Sequence, residues 1–270
     1  MNFFEGFKSN ERLFEWREHT RANRNVKGGA GVEIHIHPSV EIIFVTDGKI
    51  DINIGGTTET ANTGEEALIF PFQPHGYKKY GGSEFIRFAF DPSLASDFFN
   101  RNSNAIGETT VFKASESTRF LVKNNFVNKK ETDRFTVQSF LYATLSDFTR
   151  QINIVEKTES DTLLVKAIDY IKRNQANELK MSTVAKALGY SGSHFSYSIN
   201  KTAGFGFNTL VAMIRIANAK QLLSETDKTV LEIILECGFG SERSFYRQFK
   251  EMTGESPLKY RTERLKNKAR

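Results

Sequence analysis

His35, His37 and Glu41 stand close together in the chain, and His75 follows farther along, behind a loop that holds Pro71 and Pro74. Two imidazoles alternating along a strand project from one face, and a carboxylate on the next strand can reach the same space. Nitrogen and oxygen donors so arranged can hydrogen-bond one another, line a small-ligand pocket or coordinate a transition metal. A second group with chemical capacity lies near the other end. Glu242, Arg243, Tyr246, Arg247 and Lys250 recur at helical spacing, so they share a helix face. Arginine presents a donor fork that matches guanine O6 and N7 in the major groove, and lysine binds phosphate. Neither group forms a catalytic set, and no catalytic residue is assigned.

The elements that position these groups differ between the halves. Residues 32–37, 41–46, 49–54, 67–70 and 84–90 are short runs of β-branched and aromatic residues, several in strict alternation. Asp47-Gly48 and Gly55-Gly56 separate runs and read as hairpin turns. A small antiparallel barrel or sandwich is expected. After Pro92 no proline occurs until Pro257, and residues 93–155 read as mostly helical. Phe135, Leu141, Leu145 and Phe148 make an apolar stripe there, suited to core packing or to a dimerising helix.

From Asp161 onward the period is helical and the sequence repeats itself. Gly189-Tyr190 corresponds to Gly238-Phe239, while Phe195, Tyr197, Ile199 and Gly204 correspond to Phe245, Arg247, Phe249 and Gly254. One supersecondary unit is used twice. In the second copy, Thr229 and Glu232 form a capping box ahead of residues 230–237, Gly238 stops that helix, and Ser241 caps the next. Phe245 and Phe249 face inward and the basic set faces out, which is a helix-turn-helix arrangement. In the first copy, Ser182 is expected to cap residues 183–188, and a second helix follows over about 193–202. Its outer face carries Ser193, Ser196, Tyr197 and Asn200, with His194 and Lys201 at the flanks. That face is polar but nearly uncharged, so more tolerant base readout is expected there. Residues 207–224 read as one continuous helix joining the copies.

Residues 161–262 resemble the DNA-binding domain of the AraC/XylS family, through Gly189-Tyr-Ser, the Ile214–Leu223 segment and above all Cys237 to Arg261. The resemblance implies two helix-turn-helix subdomains entering adjacent grooves, with base-facing positions at Ser193, Ser196, Tyr197, Glu242, Arg243 and Arg247. Two departures stand out. Tyr197 occupies a position where the family usually has a long polar residue, and Ile234 one where it favours alanine. In the first half, Gly29-x5-His35-x-His37-x3-Glu41-x6-Gly48 resembles the first sequence motif of the cupin superfamily. The second motif is partial, with Gly64, Pro71 and His75. Catalytic cupins bind metal through such residues, and regulatory ones often keep them without it, so no metal or cofactor is expected here. The barrel mouth is a natural small-ligand site. His35, His37, Glu41, Phe72, His75 and Phe88 are assigned to an effector pocket, with Phe70 and Tyr77 as further apolar walls.

Charge agrees with this division. Residues 160–270 hold 18 Lys and Arg against 11 Asp and Glu, whereas the remainder holds 19 against 21, within a chain of 270 residues and net charge +5. A basic second half suits a polyanionic partner. The single cysteine, Cys237, excludes an internal disulfide framework. Residues 1–10 lack the apolar run of a signal peptide, and no stretch approaches bilayer length. A cytoplasmic location is expected. The reading is therefore an α+β chain. A cupin-like antiparallel β-barrel spans 1–95, a helical linker and dimerisation region 96–157, and an all-α double helix-turn-helix domain 158–270. Its expected partners are double-stranded DNA, a small-molecule effector, a second copy of the chain and, for an activator, RNA polymerase, with no membrane. The alternative is a metal-dependent cupin enzyme.

Overall fold

Alternating side chains dominate the first half of the chain, and they build strands. The computed structural model describes residues 14–19, 31–129 and 132–268, and the side chains of 14–19, 31, 33 and 263–268 are not among those described. The Met1–Asn10 stretch and Gly29 therefore lie outside it. Residues 7–158 and 159–270 form two separate units.

The first unit begins with β1 (Phe14–His19), β2 (Gly31–His35), β3 (Val40–Asp47) and β4 (Lys49–Ile54). It continues with β5 (Thr57–Asn62), β6 (Glu65–Ile69), β7 (His75–Lys79) and β8 (Glu84–Phe90). After a short 3-10 turn come α1 (Ser96–Arg101), β9 (Ala105–Gly107), β10 (Val111–Lys113), α2 (Glu116–Asn125), α3 (Arg134–Gln151) and β11 (Ile154–Glu156). One sheet has the order β1-β8-β3-β6-β10, the facing sheet β2-β7-β4-β5, and β9 pairs with β11. The pairs with recorded register are antiparallel throughout.

Strand β3 explains the layering. Ile43 and Val45 pack with Ile50, Ile52, Tyr77 and Phe85 between the two sheets. Val40, Ile42 and Phe44 point the other way, into a second core shared with Phe88, Phe90, Phe99, Phe126, Phe140 and Phe148. Both faces are buried, so the strand reads as an unbroken apolar run.

Several expectations need correction. Gly55-Gly56 is a hairpin turn, with Ile54 opposite Thr57 and positive φ at both glycines. Asp47-Gly48 is not. It carries the chain from β3 in one sheet to β4 in the other, and Gly48 turns at φ 76° against Ser83, where a Cβ would lie 2.9 Å from Oγ. The 93–155 region is mostly helical, as expected, with three short strands between the helices: β10 adds to the barrel sheet beside β6, and α1–α3 cover that sheet's outer face. Residues 96–157 thus share a core with the barrel. Of the proposed stripe, Leu141, Leu145 and Phe148 are buried in that core and Phe135 is 80% exposed. The stripe splits because α3 already has the sheet as its partner, and Phe135 in its first turn lies off the face that packs there.

The second unit comprises α4 (Glu159–Arg173), α5 (Met181–Ala187), α6 (Gly192–Ala203), α7 (Phe207–Glu225), α8 (Val230–Glu236), α9 (Glu242–Thr253) and α10 (Pro257–Lys268). The Thr229–Glu232 capping box forms, and Ser241 caps α9 through the Ser244 N–H. In the first copy the cap differs from expectation. Helix α5 starts at Met181 after Lys180, without a side-chain cap, so Ser182 lies inside the first turn. The phase is set instead by burial of Val184 and Ala185. Ser191 caps α6 through the His194 N–H. Both short helices close alike, by a left-handed glycine and an aromatic N–H: Tyr190 donates to the Ala185 carbonyl and Phe239 to that of Ile234, at 2.9 and 3.1 Å. In α8 the buried residues are Ile233 and Ile234, whereas Leu231 and Leu235 are exposed.

Helix α7 is the shared spine. Near its start Phe207 meets Phe195 of α6, with ring centroids 5.8 Å apart. Farther along, Ile216, Ala219 and Leu223 join Ile233, Ile234, Phe239, Phe245, Phe249 and Tyr260 in one core.

Candidate functional site

Apolar anchoring of α6 and α9 decides which of their side chains face water. Phe195, Ile199 and Ala203 are buried on α6, as are Phe245 and Phe249 on α9. Helical periodicity then turns Ser193, His194, Tyr197 and Lys201 of α6 outward, with Ser196 half-buried, and Glu242, Arg243, Tyr246, Arg247 and Lys250 of α9 outward. Tyr197 is 64% exposed, and the Lys201 ammonium lies 5.9 Å from its ring centre. The His194 ring stacks on Tyr190 at 5.3 Å, which fixes its plane. Arg247 Nη1 donates to both oxygens of Glu251 at 3.1 Å. This pair is more than half exposed on both sides, so it is worth well under about 1 kcal/mol and yields readily to a stronger anion. The structure thus gathers the ten predicted residues onto the solvent faces of two helices that share one spine.

The barrel set is also brought together. His35, His37, Glu41 and His75 are buried, with ligand-capable atoms within 4.8 Å of one another. Arg87 completes the group, its Nη1 donating to Glu41 Oε2 at 3.1 Å. The sequence reading missed Arg87. The alternation Phe85, Arg87, Ala89 puts it on one face of β8, but only the pairing of β8 with β3 sets that face beside Glu41. Burial pushes the Glu41 carboxyl up, but Arg87, His37 and His75 together outweigh it and hold it well below the usual carboxylate range. Burial pushes His37 down, against the pull of Glu41.

His37 Nδ1 faces the Ser39 carbonyl at 3.1 Å, while its Nε2 faces Glu41 Oε2 at 3.3 Å. Both partners are acceptors, and a neutral imidazole has one proton to give. His75 Nδ1 faces the Gln73 carbonyl at 2.9 Å. His75 Nε2 lies 3.7 Å from Glu41 Oε1, and both atoms are buried without a hydrogen-bond partner among the described residues. Two imidazoles whose Nδ1 atoms each face a carbonyl, gathered with a third around one carboxylate, are a donor set a divalent transition metal accepts. The residues therefore fit a metal, held through His75 Nε2, Glu41 Oε1 and the other two imidazoles, with Arg87 retaining Oε2.

The apolar walls fare differently. Tyr77 faces the space between the sheets, whereas Phe70 and Phe88 belong to the core under the helices. Phe88 packs on Phe140 and Phe126 at 4.4 and 5.1 Å, so it is removed from the pocket set. With both faces of β8 buried, alternation alone does not tell the inner from the outer. Phe72 is half-buried at φ 60° in the loop before β7.

Comparison with known proteins agrees with both halves. Residues 184–263 match the family described as "Helix-turn-helix domain", and residues 24–86 match "Cupin domain". An uncharacterized HTH-type transcriptional regulator of Staphylococcus aureus (strain COL) is 29% identical over 143 residues, covering 53% of this chain and 19% of its own. The HTH-type transcriptional regulator YijO of Escherichia coli (strain K12) is 33% identical over 134 residues, 49% of this chain and 46% of that one. The chain thus spans about a fifth to a half of the length of these curated relatives. Among solved structures, ToxT of Vibrio cholerae superposes with a TM-score of 0.60 at 12% identity, covering 93% of this chain and 98% of ToxT. That likeness establishes a common fold. Among the described residues, no helix is long and apolar enough to cross a membrane. The chain therefore joins a segment that matches a cupin domain to one that matches a helix-turn-helix domain, the latter folded as two like units on one spine helix.

Proposed function

We propose that this protein is a sequence-specific DNA-binding regulator of transcription, acting in the cytoplasm as a homodimer and without enzymatic activity of its own. One observation carries the proposal: α6 and α9 are built by the same short helix, glycine turn and serine cap, and each turns a polar face to solvent, with Ser196 alone of the ten residues half-buried. On this reading Ser193, His194, Ser196, Tyr197 and Lys201 meet one major groove. Glu242, Arg243, Tyr246, Arg247 and Lys250 meet the next, with Arg247 exchanging Glu251 for a guanine edge. RNA polymerase is the further partner if the protein activates. A small effector in the barrel is the input, a role supported by a fold relative, ToxT, which has been crystallised with an unsaturated fatty acid.

The test is a fluorescence-anisotropy titration against a promoter duplex across a salt series. Affinity is expected to fall steeply with salt. Arg247→Ala is expected to cost about 1–3 kcal/mol on the specific duplex and little on a scrambled one. Equal losses on both duplexes, or none, would reject the groove assignment.

The buried cluster of His35, His37, Glu41 and His75, with ligand-capable atoms within 4.8 Å of one another, favours a second reading of the input, a bound divalent metal. Metal analysis of purified protein is then expected to find one equivalent of Zn, Mn, Fe or Ni that is lost in His75→Ala. If DNA affinity follows occupancy the ion is the effector, and if a reaction does, the enzyme alternative is revived.

A further inference from the structure

Arg215 sits in the middle of α7, pointing at neither candidate groove-reading face. Its Nε donates to the Gln175 carbonyl at 3.2 Å and its Nη2 to the Asn177 carbonyl at 2.8 Å, both in the connection between α4 and α5. The same guanidinium lies 5.9 Å from the ring centre of Phe239, in the turn of the second helix-turn-helix unit. Next to that ring, Gly238 presses so closely on the first unit that a Cβ would collide with the Gln175 carbonyl and lie 3.0 Å from Arg215 Nη2. One cation and one missing side chain thus bind the connection of the first unit to the turn of the second. Arg261 does comparable work at the far end, donating from Nε to the Leu223 carbonyl at 3.2 Å and from Nη2 to that of Lys228 at 2.6 Å.

We infer that Arg215, seated against Gly238, is a positioning residue that fixes the separation and relative rotation of α6 and α9 before any DNA is met. A spine helix of about 28 Å sets a distance, yet a helix joined at its ends by short turns leaves each unit free to rock. The guanidinium removes that freedom. It holds two backbone carbonyls in a rigid fork, which an ammonium cannot reproduce. The functional consequence, which rests on the proposed DNA-reading role, is discrimination of spacing. The protein would accept two half-sites only at the offset its own geometry presets, and reject the same half-sites moved by a base pair.

The experiment uses the full chain with spin labels on Asn200→Cys in α6 and Leu235→Cys in α8, both exposed positions. The native Cys237 is buried and its thiol is pushed up to about 12, so it does not compete for label. Dipolar spectroscopy without DNA is expected to give one narrow distance distribution, and Arg215→Met one about twice as broad. Arg215→Lys should fall close to Arg215→Met, because charge without the fork does not restore the clasp. An unchanged width in Arg215→Met would overturn the inference, as would full rescue by lysine. The second arm uses a duplex selected by the wild-type chain from a random pool, with and without one base pair inserted between half-sites. That insertion rotates the second groove by roughly 35° and is expected to cost the wild type about tenfold in affinity, shrinking to about twofold in Arg215→Met. An equal insertion penalty in both proteins would also overturn it. Should the wild type select no duplex, the DNA-reading role fails, and the distance distributions still decide the clasp.

Discussion

Replacing Glu66 by glutamine is expected to stabilise the barrel unit at neutral pH. Glu66 stands on β6, fully buried, with Thr144 Oγ1 of α3 donating to its Oε1 at 3.0 Å. Its other oxygen has no hydrogen-bond partner among the described residues. Burial pushes the carboxyl up to about 8, with Asp147 adding to the rise and the Thr144 bond opposing it. Asp147 is itself engaged, accepting from Thr118 Oγ1 at 2.6 Å and from the Ser115 N–H at 2.8 Å. The sign follows from proton linkage. The folded protein keeps the Glu66 proton up to about pH 8, while the unfolded chain releases it near its ordinary value of 4.5. Between those values the folded state binds more protons, so stability is fully present below 4.5, declines as pH rises and levels off above 8. At 1.36 kcal/mol per unit, the deficit near pH 7 is on the order of 3 kcal/mol. Glutamine keeps the acceptor for Thr144, carries no ionisable proton and occupies nearly the same volume. Urea unfolding followed by the single tryptophan, Trp16 in β1, should show a gap between variant and wild type that is small near pH 4.5 and grows toward neutrality. A gap of constant size would mean that Glu66 does not titrate as its burial demands.

Glu66 also shows what the sequence conceals. It follows Gly64-Glu65 in a polar stretch, where nothing marks it as buried, and only the arrival of α3 over the sheet makes it so. The helix-turn-helix half was legible because its information is local. Capping residues, stop glycines and aromatic spacing all act within a turn or two, and their repetition supplied an internal check. Even there, the Ser182 cap failed where packing of Val184 and Ala185 prevailed over side-chain preference. Barrel strands with apolar alternation were equally plain, whereas β5, Thr57–Asn62, carries one buried residue, Ala61, and gave no pattern to read. The His–Glu cluster was visible as spacing, since strands fix direction by parity. Phe88 was misplaced for the same reason: parity separates two faces without saying which one is inner when both are buried. Arg87 needed the pairing of β8 with β3, a contact 46 residues apart in the chain, beyond the reach of any local pattern.

Arg87→Ala is expected to destabilise the barrel unit by about 3–5 kcal/mol, the cost of leaving a buried carboxylate without its cation. Glu41 has no exposed surface, and Arg87 and Glu41 meet at 3.1 Å inside a ring of three histidines. The charge on Glu41 cannot reach water, and the histidine nearest to it, His37, is pushed toward neutrality by burial. Arg87 is therefore the permanent compensating charge, and its loss is not made good by a small neighbour. Two comparisons separate this account from simple loss of packing. Arg87→Met fills much of the vacated volume without the charge, so it should remain nearly as unstable as Arg87→Ala. Glu41→Gln combined with Arg87→Met removes both charges and should recover most of the loss, a strong departure from additivity. A transition metal offers a third comparison, because it would bring positive charge to the same carboxylate. Zinc or manganese should then raise the melting temperature of Arg87→Met more than that of the wild type, and not that of Arg87→Met carrying His75→Ala. If the single and double variants are equally unstable, the cluster is held by shape rather than by charge, and the guanidinium has no electrostatic part in it.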